Sequence, residues 1–468
     1  MDINNDNSEA KFRLMTEAPV EGLVCRMAGP TIAIMLISAL YNMADTYFVG
    51  SLGTSATGGV GVVFSLMAII QALGFFFGHG SGNYISRALG AHHMEQASSM
   101  AATGFISALV GGLAVTVLGL TWLEPLARFL GATDTILPHA CAYLFYILLG
   151  APWMTGSLTL NNLLRFQGSA FYGMIGMISG AVLNVVLDPI FIFVFGMGVA
   201  GASLATMLSQ FVSFCLLLVG CSRGGNISVN PRNFSFRPYI YREILRGGFP
   251  SLCRQGIASL GTLCLNRVAG GYGDAAIAAI SIVQRVTMFA NSTLLGFGQG
   301  FQPVCGFNYG AGRYDRVMRA FWFCMKVSTV FLCVLATAGF VFAPSIIALF
   351  RRDDPTVIAI GALALRFQCV TFPLMGWFVL NNMMLQTIGK SVRASILALA
   401  RQGLFLLPFL YGLTPFFGLL GLQMTQSAAD LATFILALPL GLGSLREMAE
   451  GKGVPLVIDP EEFDRAAD

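Results

Sequence analysis

The chain has 468 residues, 56% of them hydrophobic and only 11% charged, with a formal net charge of +4. Soluble domains carry about 25% charged residues, and a chain this apolar has too few polar groups to cover a surface in water, so a soluble fold is excluded. The basic residues are dispersed and offer no patch for nucleic acid, whereas 54 Gly and 38 Phe suit closely packed transmembrane helices.

Residues 1–24 are polar, with no apolar segment followed by a small-residue cleavage site, so no cleaved signal peptide is expected. Beyond them, a helix needs about 20 mainly apolar residues to cross a bilayer. That length predicts an all-α membrane protein of twelve spans, near 27–48, 59–79, 99–121, 137–157, 171–194, 200–221, 247–270, 278–299, 318–343, 358–384, 392–412 and 418–441. Both termini and the even-numbered connections, flanks included, hold 18 of the 27 basic residues, five of them from Arg223 to Arg246. The odd-numbered connections hold Arg128, Arg351 and Arg352. Positive charge stays on the cytoplasmic side, which predicts cytoplasmic termini. Cys141, Cys215, Cys264, Cys324, Cys333 and Cys369 fall inside apolar runs without CxxC spacing, and read as buried free thiols.

The two halves repeat at a spacing near 220 residues. Gly53 and its following residues align with Gly273 and its followers, Gly90-Ala91 with Gly310-Ala311, Asn161-Asn162 with Asn381-Asn382, and Gly198 and Gly201 with Gly418 and Gly421. Six spans per copy is an even number, so the second copy keeps the topology of the first. Two six-helix bundles related by a pseudo-twofold axis along the membrane normal follow. The expected organisation is a cytoplasmic segment 1–24, a lobe 25–221, a basic cytoplasmic linker 222–246, a second lobe 247–443 and a cytoplasmic tail 444–468. A cleft between two such bundles, opening to each side in turn, is the architecture of a transporter.

An ionisable residue inside a span is costly and marks function by default. Asp45, Asp188 and Asp430 qualify. Tyr41 and Asp45 are four apart and share a helix face, as do Asn184 and Asp188. Pro189 follows directly and frees the carbonyl of Val185 from its helical hydrogen bond. Carboxylates, an amide oxygen and a freed carbonyl suit a small hard cation or a shared proton, and Thr206 adds a hydroxyl. The repeat places Leu265, Pro408 and Leu404 where the first half has Asp45, Asp188 and Asn184, so the acidic constellation is unduplicated. Residues needed only for the fold tend to recur in both copies, which favours a functional role here over helix capping.

Asp430 lies in a half that carries Arg254, Arg267, Arg285, Arg366 and Arg401 at membrane depth. Two readings stay open: an ion pair with Arg401 or Arg254, or a transport role, with the arginines walling a site for an anion. Arg267 and Arg366 are placed to snorkel. Asn161 and Asn381, equivalent in the repeat, serve either helix–helix hydrogen bonding or the cleft wall. His79, His92 and His93 are placed at or near a cytoplasmic connection, with no metal site expected. No phosphate-cradling loop ending in Lys-Ser or Lys-Thr and no hydrolase spacing occurs, so neither ATP nor catalysis is indicated. No cofactor is expected, and an ion gradient is the expected energy source.

The chain resembles the multidrug and toxic compound extrusion (MATE) family of cation-coupled efflux antiporters over about residues 20–445. The resemblance rests on Tyr41-Asn42-x-x-Asp45-x-x-Phe48-Val49-Gly50, Ser86-Arg87-Ala88-Leu89-Gly90-Ala91, and Leu183-Asn184-x-x-Leu187-Asp188-Pro189. Pro250-Ser251-x-x-Arg254-Gln255-Gly256 and Ala400-Arg401-Gln402-Gly403 are similar to the bacterial DinF/Mep-like branch. The resemblance implies a proton or sodium site in the amino-terminal lobe made of Asp45, Asn184, Asp188 and Thr206, with Tyr41, Tyr143 and Asn161 facing that lobe's cavity. It further implies a monomer in the bacterial cytoplasmic membrane that exports small organic, cationic or amphipathic compounds by H+ or Na+ antiport and alternating access. The alternative within the same superfamily is a flippase or exporter of lipid-linked precursors or anionic metabolites.

Overall fold

The computed structural model describes residues 3–224, 227, 229–350, 352 and 354–452. Arg351 and the tail beyond residue 452 lie outside the described residues. An amino-terminal helix α1 (Ile3–Glu17) precedes the first lobe: α2 (Val20–Gly50), α3 (Thr54–Gly90), α4 (Met94–Thr121), the short α5 (Leu123–Phe129), α6 (Leu137–Phe166), α7 (Ala170–Pro189) and α8 (Val199–Gly224). The second lobe follows as α9 (Pro238–Gly270), α10 (Asp274–Gly310), α11 (Tyr314–Val341), the short α12 (Ala343–Phe350), α13 (Pro355–Thr387), α14 (Ser391–Leu399), α15 (Leu406–Phe417) and α16 (Leu419–Ala449). Alpha helices α14 and α15 are one span joined through a π-helical turn, Ala400–Phe405, and α7 runs on through another, Ile190–Val194.

Among the described residues twelve long helical rods result, as the hydropathy predicts, in the fold of twelve-span transporters. Among the described residues, eleven are apolar and long enough to cross a membrane. The twelfth rod, α9, is diluted by Arg242, Glu243, Arg246, Arg254 and Arg267. The helices overrun the predicted spans: α3 and α10 are each 37 residues, about 55 Å at 1.5 Å per residue. Most of the excess lies at their carboxyl-terminal ends, past residues 79 and 299. The basic stretch 222–246 accordingly ends as helix, because Pro238 sits at the first turn of α9, where its missing N–H costs nothing.

The repeat is visible in the backbone. Helices α3 and α10 begin and end 220 residues apart, and α4 and α11 do the same. Gly53 (φ 111°) and Gly273 (φ 98°) start equivalent helices, and Gly198 (φ 56°) and Gly418 (φ 57°) turn the chain before α8 and α16. These are left-handed positions that only glycine adopts without strain. The two π-helical turns break the symmetry. One follows Pro189, whose ring lacks the donor for the ladder; the other holds Arg401 ten residues before the equivalent point.

The lobes meet through glycine. A Cβ on Gly90 would overlap the Phe307 carbonyl, and one on Gly310 would overlap the Arg87 carbonyl. Since these pairs are the same pair one repeat apart, α3 and α10 cross about the pseudo-twofold axis. Gly300 packs on Ala28 of α2, and Gly248 of α9 packs on Phe76 of α3. Small residues let backbones approach where lipid supplies no hydrophobic drive. All of these contacts lie in the half of the bundle nearest the termini. There the buried apolar residues form one cluster continuous across both lobes, whereas the far half of the first lobe has its own separate cluster around Val49, Tyr143 and Ile192. Among the described residues, the close glycine contacts between the lobes seal the terminal face.

The ten cysteines are all free, and Cys221, Cys305, Cys324 and Cys369 are buried. Of the other cysteines expected to be buried, Cys141 and Cys264 are half-buried and Cys215 and Cys333 are exposed.

Candidate functional site

The acidic constellation assembles in the first lobe. Asp45, Asn184, Asp188 and Thr206 are each no more than 4% exposed. The Asn184 amide lies between its two neighbours: its nitrogen donates to Asp188 Oδ2 at 3.3 Å, while its oxygen accepts from Thr206 Oγ1 at 3.2 Å. Asp45, on α2, is within range of the Asp188 charge on α7, and Tyr41 is near both. One oxygen of each carboxylate, Asp45 Oδ1 and Asp188 Oδ1, is buried without a hydrogen-bond partner. A buried carboxylate oxygen left bare costs free energy unless it meets a proton or a cation. Beside the cluster is a cavity of about 30 Å³, lined by Tyr41, Asn184, Thr206 and Ser38 among others, large enough for a water molecule or a small ion. The chemistry of this donor set is that of a proton or a hard cation.

Tyr143 is fully buried with its hydroxyl 3.9 Å from Met67 Sδ and within hydrogen-bond reach of Thr206. Asn161 and Asn381 sit at helix crossings. The first lies against Gly173 of α7, and the second against Gly441 of α16, with its nitrogen donating to the Trp377 carbonyl at 2.9 Å. Among the described residues neither has a hydrogen bond to the acidic cluster. In the second lobe Arg401 Nε meets Asp430 Oδ1 at 2.7 Å. Arg254 does not join that pair; its nearest hydrogen bond is a long one, 3.5 Å, to Asn382 Oδ1. Arg366 reaches the Phe340 carbonyl at 3.2 Å near the helix surface.

A polar layer between the lobes had no counterpart in the sequence reading. Arg165, counted there among the loop charges, is 1% exposed. It donates across the seam to the Gln299 carbonyl at 2.8 Å and to Gln302 Oε1 at 2.9 Å. Arg87 is buried too, reaching the Thr387 carbonyl at 2.5 Å and Glu243 at 3.5 Å. His79, expected at or near a connection, is buried inside α3, stacked on Phe75 and 3.1 Å from Ser251 Oγ of the other lobe. The missed signal was the length of α6: it runs to Phe166, so Arg165 belongs to the helix.

Comparison with known proteins agrees with this geometry. A family model described as MatE matches residues 30–190 and 250–411, one copy per lobe. Multidrug export protein MepA of Staphylococcus saprophyticus is 29% identical over 398 residues, 84% of this chain and 87% of that protein. The MepA of Staphylococcus aureus is 28% identical over 428 residues, 90% of this chain and 94% of that one. A solved outward-facing multidrug resistance MATE transporter of the MOP superfamily superposes with a TM-score of 0.88 at 27% identity, covering 93% of this chain and 98% of that one. With its two matched copies, its twelve long helices and its paired lobes, the chain belongs to the MatE family of multi-pass membrane transporters.

Proposed function

We propose that the protein is a secondary active exporter of small organic compounds, driven by H+ or Na+ moving the opposite way through the Asp45–Asp188 cluster. The observation that carries this reading is the buried carboxylate oxygen left without a partner on both Asp45 and Asp188, in a cluster whose Tyr41, Asn184 and Thr206 line a cavity of ion size. A cation on these oxygens removes negative charge from the first lobe, and Pro189 with its π-helical turn supplies a place where α7 yields. Amphipathic or cationic substrate enters the cleft from the cytoplasm, competes with the coupling ion for the charge of the same lobe, and leaves from the opposite face.

The form described here, sealed at the terminal face, is then the outward-facing one. The distribution of Lys and Arg supports cytoplasmic termini, and the relatives named above support a bacterial cytoplasmic membrane. The protein acts as a monomer in this reading, since each chain contains both lobes. The test is transport in proteoliposomes: ethidium moves against an imposed proton or sodium gradient with the wild type and not with Asp45→Asn. Equal transport by both would refute the assignment.

A further inference from the structure

The layer between the lobes contains an electrostatic imbalance. Arg165, from α6 of the first lobe, is buried, and Arg254, from α9 of the second, is half-buried. The two guanidinium groups are within range of each other's charge, and both act on His79. Among the described residues neither arginine forms an ion pair with a carboxylate. The Arg165 Nη atoms reach only neutral oxygens, those of Gln299, Gln302 and, at 2.5 Å, Asn162, while Nε has no partner. Arg254 has its one long bond to Asn382. A guanidinium carries five donors in a planar fork, so several N–H groups remain to be used. Two other arginines of the bundle do have an acid: Arg87 has Glu243 and Arg401 has Asp430.

Two like charges in a low-dielectric layer raise its energy unless an opposite charge joins them. The forked geometry fits the two oxygens of a carboxylate or phosphate. The layer is level with the glycine seam, since Gln299 and Gln302 flank Gly300, which packs on Ala28. Arg254 is four residues past Pro250 on α9 and six past the Gly248 contact with Phe76 of the first lobe. The ring of Phe166, 4.5 Å from the Arg165 guanidinium, supplies an apolar wall.

We infer that this layer binds an oxyanion, the carboxylate or phosphate of an amphipathic molecule, between Arg254 of one lobe and Arg165 of the other. This deepens the exporter reading and rests on it for the identity of the cargo. The acidic cluster of the first lobe and the arginines at the seam make the cleft bipolar, so its preferred substrates carry an anionic group as well as a cationic or apolar body. An anion held by both lobes also stabilises the sealed seam.

The test uses two dyes with one body: rhodamine B, which carries a free carboxylate, and its ethyl ester. Fluorescence polarisation with the full-length protein in detergent, without any gradient, gives both affinities. The wild type binds rhodamine B about tenfold tighter than the ester, the scale of one charge-assisted hydrogen bond. Arg254→Gln removes that preference and leaves the ester's affinity unchanged, and Arg254→Lys restores part of it. If the wild type shows no preference, or Arg254→Gln weakens both dyes equally, the arginine is a structural strut and the inference fails. Competition separates two sources of the oxyanion. Displacement of rhodamine B by short-chain phosphatidylglycerol assigns the site to lipid headgroups as well, and no displacement confines it to exported amphiphiles; both support an oxyanion site. Because no gradient is involved, loss of driven export with an intact dye preference refutes the exporter reading alone, and the converse refutes this one alone.

Discussion

Arg401 Nε donates to Asp430 Oδ1 at 2.7 Å, and the carboxylate it reaches is 1% exposed while Arg401 itself is 17% exposed. Gln426 adds a second donor to the same oxygen at 3.0 Å, and the guanidinium lies 5.4 Å from the centre of the Phe378 ring. Removing one partner of a buried pair leaves the other uncompensated, at about 3–5 kcal/mol. Arg401→Gln is therefore expected to lower the melting temperature in detergent clearly, and Arg401→Gln with Asp430→Asn to recover most of the loss. A single variant as stable as the wild type would show the pair to be dispensable.

The seal at the terminal face depends on Arg87 as well as on glycine. Arg87 ties the first lobe to the Thr387 carbonyl and to Glu243, which also pairs with Arg246 at 3.0 Å. Glu243→Gln removes the charge that offsets both arginines. It is expected to shift the population toward the form open at the terminal face. Cys305 reports this directly, since it is fully buried on α10 near the seam. Its alkylation by N-ethylmaleimide, followed by peptide mapping, should quicken several-fold in the variant; an unchanged rate would remove Glu243 from the latch.

The reciprocal contacts of Gly90 with Phe307 and Gly310 with Arg87 make a symmetric prediction. Gly90→Val and Gly310→Val each force a side chain into an opposing carbonyl, with overpacking costs of about 1–3 kcal/mol. The two variants should raise Cys305 reactivity to a similar extent. A large effect from one and none from the other would contradict a seam built on the pseudo-twofold axis.

Helix α1 bridges both lobes from below. Lys11 donates to Ser169 Oγ of the first lobe at 2.6 Å, and Arg313 and Arg316 of the second donate to the carbonyls of Thr16 and Ala18 at 2.8 and 2.6 Å. Burial pushes the Lys11 ammonium down from 10.5 to about 8. The docked state thus holds fewer protons than the undocked state between those values, so docking strengthens as pH rises through that window. Hydrogen exchange of the α1 amides, corrected for the intrinsic pH dependence, should show greater protection at pH 9 than at pH 7. Lys11→Met should abolish the difference, and a pH dependence that survives this substitution would exclude Lys11 as its source.

Much of the architecture was legible from hydropathy and the repeat, because a bilayer imposes a minimum apolar length and duplication preserves helix register. The prediction of twelve rods in two copies needed nothing more. Helix ends were not legible: past the bilayer, α3 and α6 remain helical because they pack against the other lobe, so polar residues there read as loop. That is why Arg165, Arg87 and His79 were placed in or near connections although the fold buries them. The seam itself is carried by glycines such as Gly90 and Gly310, whose importance lies in what approaches them, and no single sequence records that. Asp45, Asn184 and Asp188 stood out for the opposite reason, as costly polar groups that the second copy lacks.

The central claim is that Asp45 and Asp188 carry the coupling ion. It is tested most directly by substrate movement in proteoliposomes under separately imposed proton and sodium gradients, comparing wild type, Asp45→Asn and Asp188→Asn. The account predicts that one of the two gradients drives ethidium uphill in the wild type, and that each variant still inserts and binds ethidium but loses at least about tenfold in driven rate, as expected when a buried ionisable group is essential. Gradient-driven transport by both variants at the wild-type rate would contradict it.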